Sequence, residues 1–387
     1  MAFGTKSSYA DTTTQIRNVV DDFDVLSPTE VPFLKWMAGG TDEKPSLNNL
    51  DAPCTMTKYE WIEDTDPAHT TTLGAAFADT SGTALNLASG IADLVEGQII
   101  LVDSEQMLVT AATGANTATV SRGWGGTTAA THSNGATVTF IGSAHKEGTD
   151  APSAIYSFPS MPYNVVQEFT KTIFMTEIEQ AISRYGIDKA LDYETTKRAR
   201  QLYIDMEKQC FYGKRVTAAS TLPGTFGGLE TYIPAGNIVA GAGSDLTAKM
   251  VMDAMQKVYD QVGTVMLPDT IVCSAKARRK LSILFATYNS TVTYREQADT
   301  QGGVKVDRIT TDFGELDILM SNWCPNSKLY LLRKEKLGIG PLVGNEMRRE
   351  MLAKTGTSDK FMISGAYTFQ VRASSSHALV DNIVPNP

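Results

Sequence analysis

Positions Ile187, Leu191, Thr195, Ala199, Leu202, Met206 and Cys210 recur every three or four residues, and this spacing predicts a helix with one narrow stripe facing a core. The helix runs about seven turns and stops at Gly213, with Glu194 and Arg198 four residues apart on its exposed side. A different period governs the middle of the chain. Short β-prone runs at 83–87, 98–103, 106–110, 117–121 and 137–141 are separated by Gly, Asp and Asn turns, which predicts a small all-β sandwich or barrel. Residues 165–176 read as a strand or strand pair.

Beyond Gly213 the elements alternate in the manner of an α/β unit. Asp245 or Thr247 caps a helix that carries Met250, Ala254, Val258 and Val262 on one face and ends at Gly263. A strand at 270–273 leads to Ser274, the N-cap of a helix over 276–285. A long loop, 287–303, carries Tyr288, Tyr294 and Arg295. Strands at 304–309 and 315–320 flank a turn holding Asp312 and Gly314, and 328–333, 346–353, 361–372 and 378–384 read as closing strands. The first 48 residues have few periodic runs. Their Pro and Gly punctuation predicts an extended arm with one apolar segment around Phe33, Leu34, Trp36 and Met37, either frayed or lying across a neighbouring subunit.

Composition sharpens the middle boundary. Residues 65–148 hold 15 Thr, 15 Ala and 11 Gly but one Lys and one Arg, so the β-prone stretch reads as an inserted module in an α+β chain. With 387 residues, 42% hydrophobic and 20% charged, the chain is long and apolar enough for two or three folded domains. The start has no apolar core of signal-peptide length, and no run approaches the roughly 18 apolar residues of a membrane span, so neither export nor membrane insertion is expected. Cys54, Cys210, Cys273 and Cys324 are far apart and are expected to be reduced core residues. The formal net charge of −9 argues against avid DNA binding, and the basic run Lys197, Arg198, Arg200 alternates with acidic residues as a solvated helix face does.

The candidate chemistry is thin. Ser143 and Lys146, with Lys354-Thr355-Gly356, match the SxxK and KTG elements of acyl enzymes, but SxxK needs a helix start, and HKEGTDAP after Ala144 is turn-forming. The histidines His69, His132, His145 and His377 lack the spacing that puts two imidazoles on one face, so no metal site is expected. His132 and His145 could approach within the module, although a hydrogen-bonded histidine is the plainer expectation. Glu60, Glu63, Asp64 and Asp66 beside Trp61 read as a solvated rim. Arg122-Gly-Trp124-Gly-Gly-Thr127 reads either as a Gly-rich anion cradle or as a tight turn presenting Trp124. No enzyme, cofactor or metal is predicted.

The order of arm, β insert, long helix and α/β unit resembles the major capsid proteins of tailed bacteriophages with the Hong Kong 97-like fold. Lys58-Tyr-Glu-Trp-Ile62 and Tyr163-Asn-Val-Val-Gln167 look like the outgoing and returning strands of that family's E-loop. The phrase from Arg122 to Thr128, with His132 and Gly135, is similar to one in phage structural insertion modules. The resemblance implies an N-terminal arm at 1–48, an E-loop at 49–67 and 149–172, and an inserted β-rich domain at 68–148. It implies a peripheral domain at 173–224 and 341–387 with a spine helix at 187–212, and an axial domain at 225–340. It further implies pentamers and hexamers of an icosahedral virion shell assembled in the host cytoplasm. Its partners would be portal, scaffolding and decoration proteins, with packaged double-stranded DNA met only by weak contact. Phe33, Trp36, Trp61, Tyr163 and Trp124 are the expected intersubunit contacts, because an arm and a long hairpin cannot bury their own aromatics. An encapsulin-like compartment protein and a carbohydrate-binding or adhesin-type phage protein are the alternatives. The family's covalent crosslinking residues have no match here.

Overall fold

The computed structural model of the chain describes residues 28, 30–41, 44–64, 69–88, 94–114, 116–148, 158–182, 189–288 and 308–384. The expected arm before residue 28, the expected loop 287–303 from residue 289 on and the start of the expected helix at 187 lie outside the described residues. The chain divides into two compact units, Met1–Trp61 with Tyr163–Pro387, and Ile62–Pro162. The composition boundary at 65 and 148 therefore falls 3 residues inside the second unit at its start and 14 at its end.

The first unit is α+β. Its long helix, Ala190–Tyr212, buries Leu202, Met206, Cys210 and Phe211, while Thr195 and Ala199 in its first half are only partly covered. One face packs on a four-stranded antiparallel sheet built around Ser358–Val371. Gln167–Thr176 pairs along one side of that strand, and Arg348–Thr355 and then Leu337–Pro341 pair along the other. Residues of Gln167–Thr176 alternate, with Phe169, Ile173 and Met175 buried and Glu168, Thr170, Thr172 and Phe174 exposed, as a one-sided sheet requires.

A second, mixed sheet of six strands runs in the order Ile238–Ala240, Ala378–Asp381, Leu329–Leu332, Thr270–Cys273, Gly314–Met320, Arg308–Thr311. Its central strands are buried on both faces, and the pleat sends alternate side chains into two cores. Val272, Tyr330, Leu332 and Leu379 join the core beneath the long helix. Ile271, Cys273, Leu329, Leu331, Ala378 and Val380 join a second core under helices Ala248–Val262 and Ala275–Tyr288. The expected caps are in place: Thr247 Oγ1 accepts the Met250 N–H at 3.4 Å, Ser274 Oγ accepts the Ala277 N–H at 3.4 Å, and Gly263 leaves the first helix at φ 65°. All four cysteines are buried and carry no disulfide.

The second unit is all β. Six strands follow one another in the order Thr70–Thr72, Thr137–Ser143, Gln98–Val102, Glu105–Ala112, Thr117–Ser121, Ala84–Asn86. The two outer strands meet at the antiparallel bridge Leu73↔Leu87, where the Gly74 N–H donates to Asn86 O and the Ala88 N–H to Thr72 O, each at 2.9 Å. The sheet thus closes on itself as a small barrel filled by Leu73, Leu85, Leu87, Ile100, Val102, Met107, Val109, Val120 and Val138.

Candidate assembly surfaces and their anchors

Two antiparallel strands of the first unit lead out to the barrel and back. Lys58–Glu60 pairs with Tyr163–Val165 in the register Lys58↔Val165, Tyr59↔Asn164, Glu60↔Tyr163. Asn164 fixes their base. It is fully buried, donates through Nδ2 to the carbonyls of Gly227 (3.0 Å) and Phe369 (2.6 Å), and accepts the N–H groups of Gly227 (2.8 Å) and Val165 (2.9 Å) on Oδ1. Every polar valence of this amide is used within the chain, so removing it would strand buried backbone groups. Tyr163 is held from both sides, with Lys58 Nζ and the Arg215 guanidinium carbon each 4.0 Å from its ring centroid, and its carbonyl accepts Tyr232 Oη–H at 2.8 Å.

Trp61 is buried with Tyr59 and Cys54 and lies 5.5 Å from the Tyr232 ring. Phe33 is fully buried against Phe211 at 4.9 Å, inside the core of its own chain. Trp36 is half-buried, stacked on Phe33 at 5.8 Å with Lys334 on its ring. The expectation that these aromatics need a neighbouring subunit for burial is corrected: Phe33 and Trp61 find it within the chain, and Tyr163 is clamped there. The reason lies in two features. The apolar segment is a helix, Pro32–Ala38, that turns Phe33, Leu34 and Met37 to one side. The segment after it runs against a glycine-lined strand, where a Cβ on Gly338 would stand 2.9 Å from Asn49 O and one on Gly340 would stand 2.6 Å from Leu50 Cδ1. Asn49 locks that approach by accepting the Ile339 N–H at 2.8 Å and donating to Met37 O at 3.0 Å.

Exposed apolar side chains lie elsewhere. In the second unit Ile62, Met161 and Phe158 flank the bridge Glu63↔Ser160, and Phe158 is 89% exposed. In the first unit Phe174, Ile178 and Ile182 follow one another from the end of a strand through the helix Glu177–Ala181, and Met351 is exposed on the strand Arg348–Thr355.

Trp124 is 38% exposed on a tight turn, Trp124–Gly126, in which Gly123, Gly125 and Gly126 all have positive φ. Beneath it lies a buried charge cluster that the sequence reading did not assemble. Glu105, without solvent exposure, receives Arg122 in a two-pronged pair at 2.8 Å and 2.8 Å, the N–H groups of Gly123 and Ala130 at 2.9 Å each, and His132 Nε2 at 3.0 Å. The other imidazole nitrogen of His132 lies 2.7 Å from Asp103. Burial alone would raise the Glu105 pKa. The Arg122 guanidinium, the Ala130 N–H, His132 and the Gly123 N–H outweigh it and hold the group at about 2. The Gly-rich turn is therefore an anion cradle whose anion is the chain's own Glu105. His132 belongs to this cluster, whereas His145 sits beside Gly97.

Ser143 is the last residue of a strand and starts no helix, so the SxxK geometry is not formed. Lys354 pairs with Glu177 and with Asp359 at 3.1 Å. Among the described residues no group of three or more His, Cys, Asp or Glu side chains could hold a metal ion, and no helix is long and apolar enough to cross a membrane.

A family model described as SU10 major capsid protein matches residues 5–384. No curated protein matches the chain. Among solved structures it is similar to the capsid of an empty GTA particle, at 14% identity and TM-score 0.45 over 63% of this chain and 81% of that one. It is similar also to a structure of Microbacterium phage Oxtober96, at 14% identity and TM-score 0.44 over 62% and 80%. A third is the SrpI encapsulin of Synechococcus elongatus, at 10% identity and TM-score 0.43 over 60% and 79%.

Proposed function

The chain belongs to the SU10 major capsid protein family and is a capsid shell protein of the virion, and from that premise we propose that it assembles as pentamers and hexamers of an icosahedral phage head around double-stranded DNA. The observation that carries this reading is the family match from residue 5 to residue 384.

The parts take the roles of the Hong Kong 97-like layout. Lys58–Glu60 and Tyr163–Val165 are the root of the E-loop, Ala190–Tyr212 is the spine helix, the second mixed sheet with its helices is the axial domain, and the barrel is an insert on the E-loop. A shell subunit has to repeat one heterologous contact around rings of five and six, which favours a contact carried on a hairpin that extends from the body. Asn164 and Tyr163 anchor the root of the E-loop within the first unit, which supports this. Ile62, Phe158 and Met161 are exposed apolar side chains suited to a neighbour, as is Trp124 on its preorganised turn. Portal, scaffolding and decoration proteins are the further partners of such a shell. The net charge of −9 suits an inner wall that contains DNA without gripping it.

Expression of the full chain, alone and with its neighbouring genes, followed by negative-stain electron microscopy and size-exclusion chromatography, tests the reading. Rings, tubes or closed shells are expected. A monomer under every condition, co-expression included, would overturn it.

A further inference from the structure

We propose that Glu207 is a proton-operated latch: holding one proton keeps the Pro32–Ala38 helix docked on the long helix, and losing it frees that helix. Glu207 sits on the buried side of Ala190–Tyr212 with no solvent exposure, one residue from Met206 and one turn from Phe211. Its Oε2 accepts the Leu34 N–H at 3.3 Å, the Phe33 N–H is a further donor to the carboxyl, and Oε1 is 2.5 Å from Ser321 Oγ. Pro32 stands first in that helix, so Phe33 and Leu34 supply the first free N–H groups of the turn, and a side chain from residue 207 satisfies them in place of a local cap. One carboxyl thus ties three distant stretches together.

Among the described residues no cation pairs with it. The ionisable groups that face it are the thiols of Cys210, on its own helix, and Cys324, each pushed well above its usual range, first by burial and then in part by Glu207 itself. Among the described cations of the neighbouring elements, Lys35 is exposed, Lys208 lies over the Trp323 ring at 4.4 Å and Lys334 over the Trp36 ring at 5.8 Å. Burial pushes the Glu207 pKa up to about 7, against the opposing pull of Ser321 and the two N–H groups. The exit path is local, because Gly39 and Gly40 follow the helix at φ 80° and 95° and give the chain a pivot.

The sign follows from linkage. A carboxyl whose pKa is higher docked than released holds more protons when docked, so docking is strongest in acid and weakens as pH rises through about 7. Between 4.5 for the released, hydrated group and about 7 for the docked one, the opening constant should rise about thirtyfold from pH 5.5 to pH 8.5.

Hydrogen exchange of the amides of residues 33–38 in the full chain, corrected for intrinsic exchange rates, measures that constant. Wild type should show the rise and Glu207→Gln, which keeps an acceptor oxygen without the titration, should be flat. Ser321→Ala removes a hydrogen bond that favours the ionised form and should move the midpoint to higher pH. A flat wild-type profile, an equal rise in the glutamine variant, or a Ser321→Ala midpoint that stays or falls would each overturn the latch.

Discussion

Glu105 and Glu207 are both without solvent exposure, and their partners push them in opposite directions. Glu105 has a guanidinium, an imidazole and two N–H donors and stays ionised, whereas Glu207 has a hydroxyl and two N–H donors and no cation. Removing Arg122 leaves a charge buried in the barrel with its main partner gone, so Arg122→Ala should cost roughly 3–5 kcal/mol of barrel stability. Denaturant-dependent hydrogen exchange of the barrel strands measures it. The acid response is tied to the same carboxyl: because its folded pKa lies below the unfolded value of 4.5, its stabilisation is complete above that value and is lost as pH falls toward about 2. Glu105→Gln should remove that acid dependence, and an unchanged acid profile would refute the assignment. Neither acid was legible in the sequence. Glu105 stands in an ordinary strand alternation, and its partners come from 17 to 27 positions away. Glu207 reads in the sequence as one of the acidic residues of a solvated helix face, and the structure corrects this to full burial, because its partners Leu34 and Ser321 come from more than a hundred residues away.

At the scale of elements, what could be read was what depends on near neighbours. The cap at Thr247, the stop at Gly263, the N-cap at Ser274 and the hairpin around Gly314 are all set within a turn of the residue that signals them. Leu337–Pro341 and Thr70–Thr72 were not read as strands, since Gly338, Gly340 and three threonines carry little apolar alternation and their strand character comes from partners at 367–371 and 137–139. The helix Pro32–Ala38 was seen only as an apolar segment, because its burial depends on the long helix and on the glycine-lined strand. Barrel closure rests on one such non-local meeting. A Cβ on Gly74 would lie 2.9 Å from the Leu87 carbonyl carbon and 3.0 Å from the Ala88 nitrogen, both backbone atoms that cannot turn aside. Gly74→Val should therefore part the strands at Leu73 and Leu87, at a cost of roughly 1–3 kcal/mol. Faster exchange confined to the Gly74 and Ala88 amides, with Ile100 and Val109 still protected, is the expected pattern; uniform protection would mean that the bridge does not close the barrel.

For the whole molecule, composition located the insert because threonine, alanine and glycine crowd residues 65–148 while charge is scarce there. It could not locate the joint. The joint is set by the pairing Glu60↔Tyr163 and by the burial of Trp61, which keep the strand ends within the first unit. Directly opposed residues of an antiparallel pair stand about 4.5–5.5 Å apart, a gap that a two-residue hairpin turn spans. Replacing residues 62–161 by Asn-Gly, with Trp61 and Pro162 kept, should therefore leave the first unit folded, since Asn164, Tyr163 and Trp61 keep every partner named above. Circular dichroism and the exchange protection of Phe369 and Val272 would report an intact core, and insoluble chain would show the barrel to be integral to it. The same variant tests whether residues 62–161 are needed for assembly. Closed particles from the shortened chain would make residues 62–161 dispensable for the shell, whereas folded chain that no longer assembles would place an essential neighbour contact within them, where Ile62, Phe158, Met161 and Trp124 are exposed.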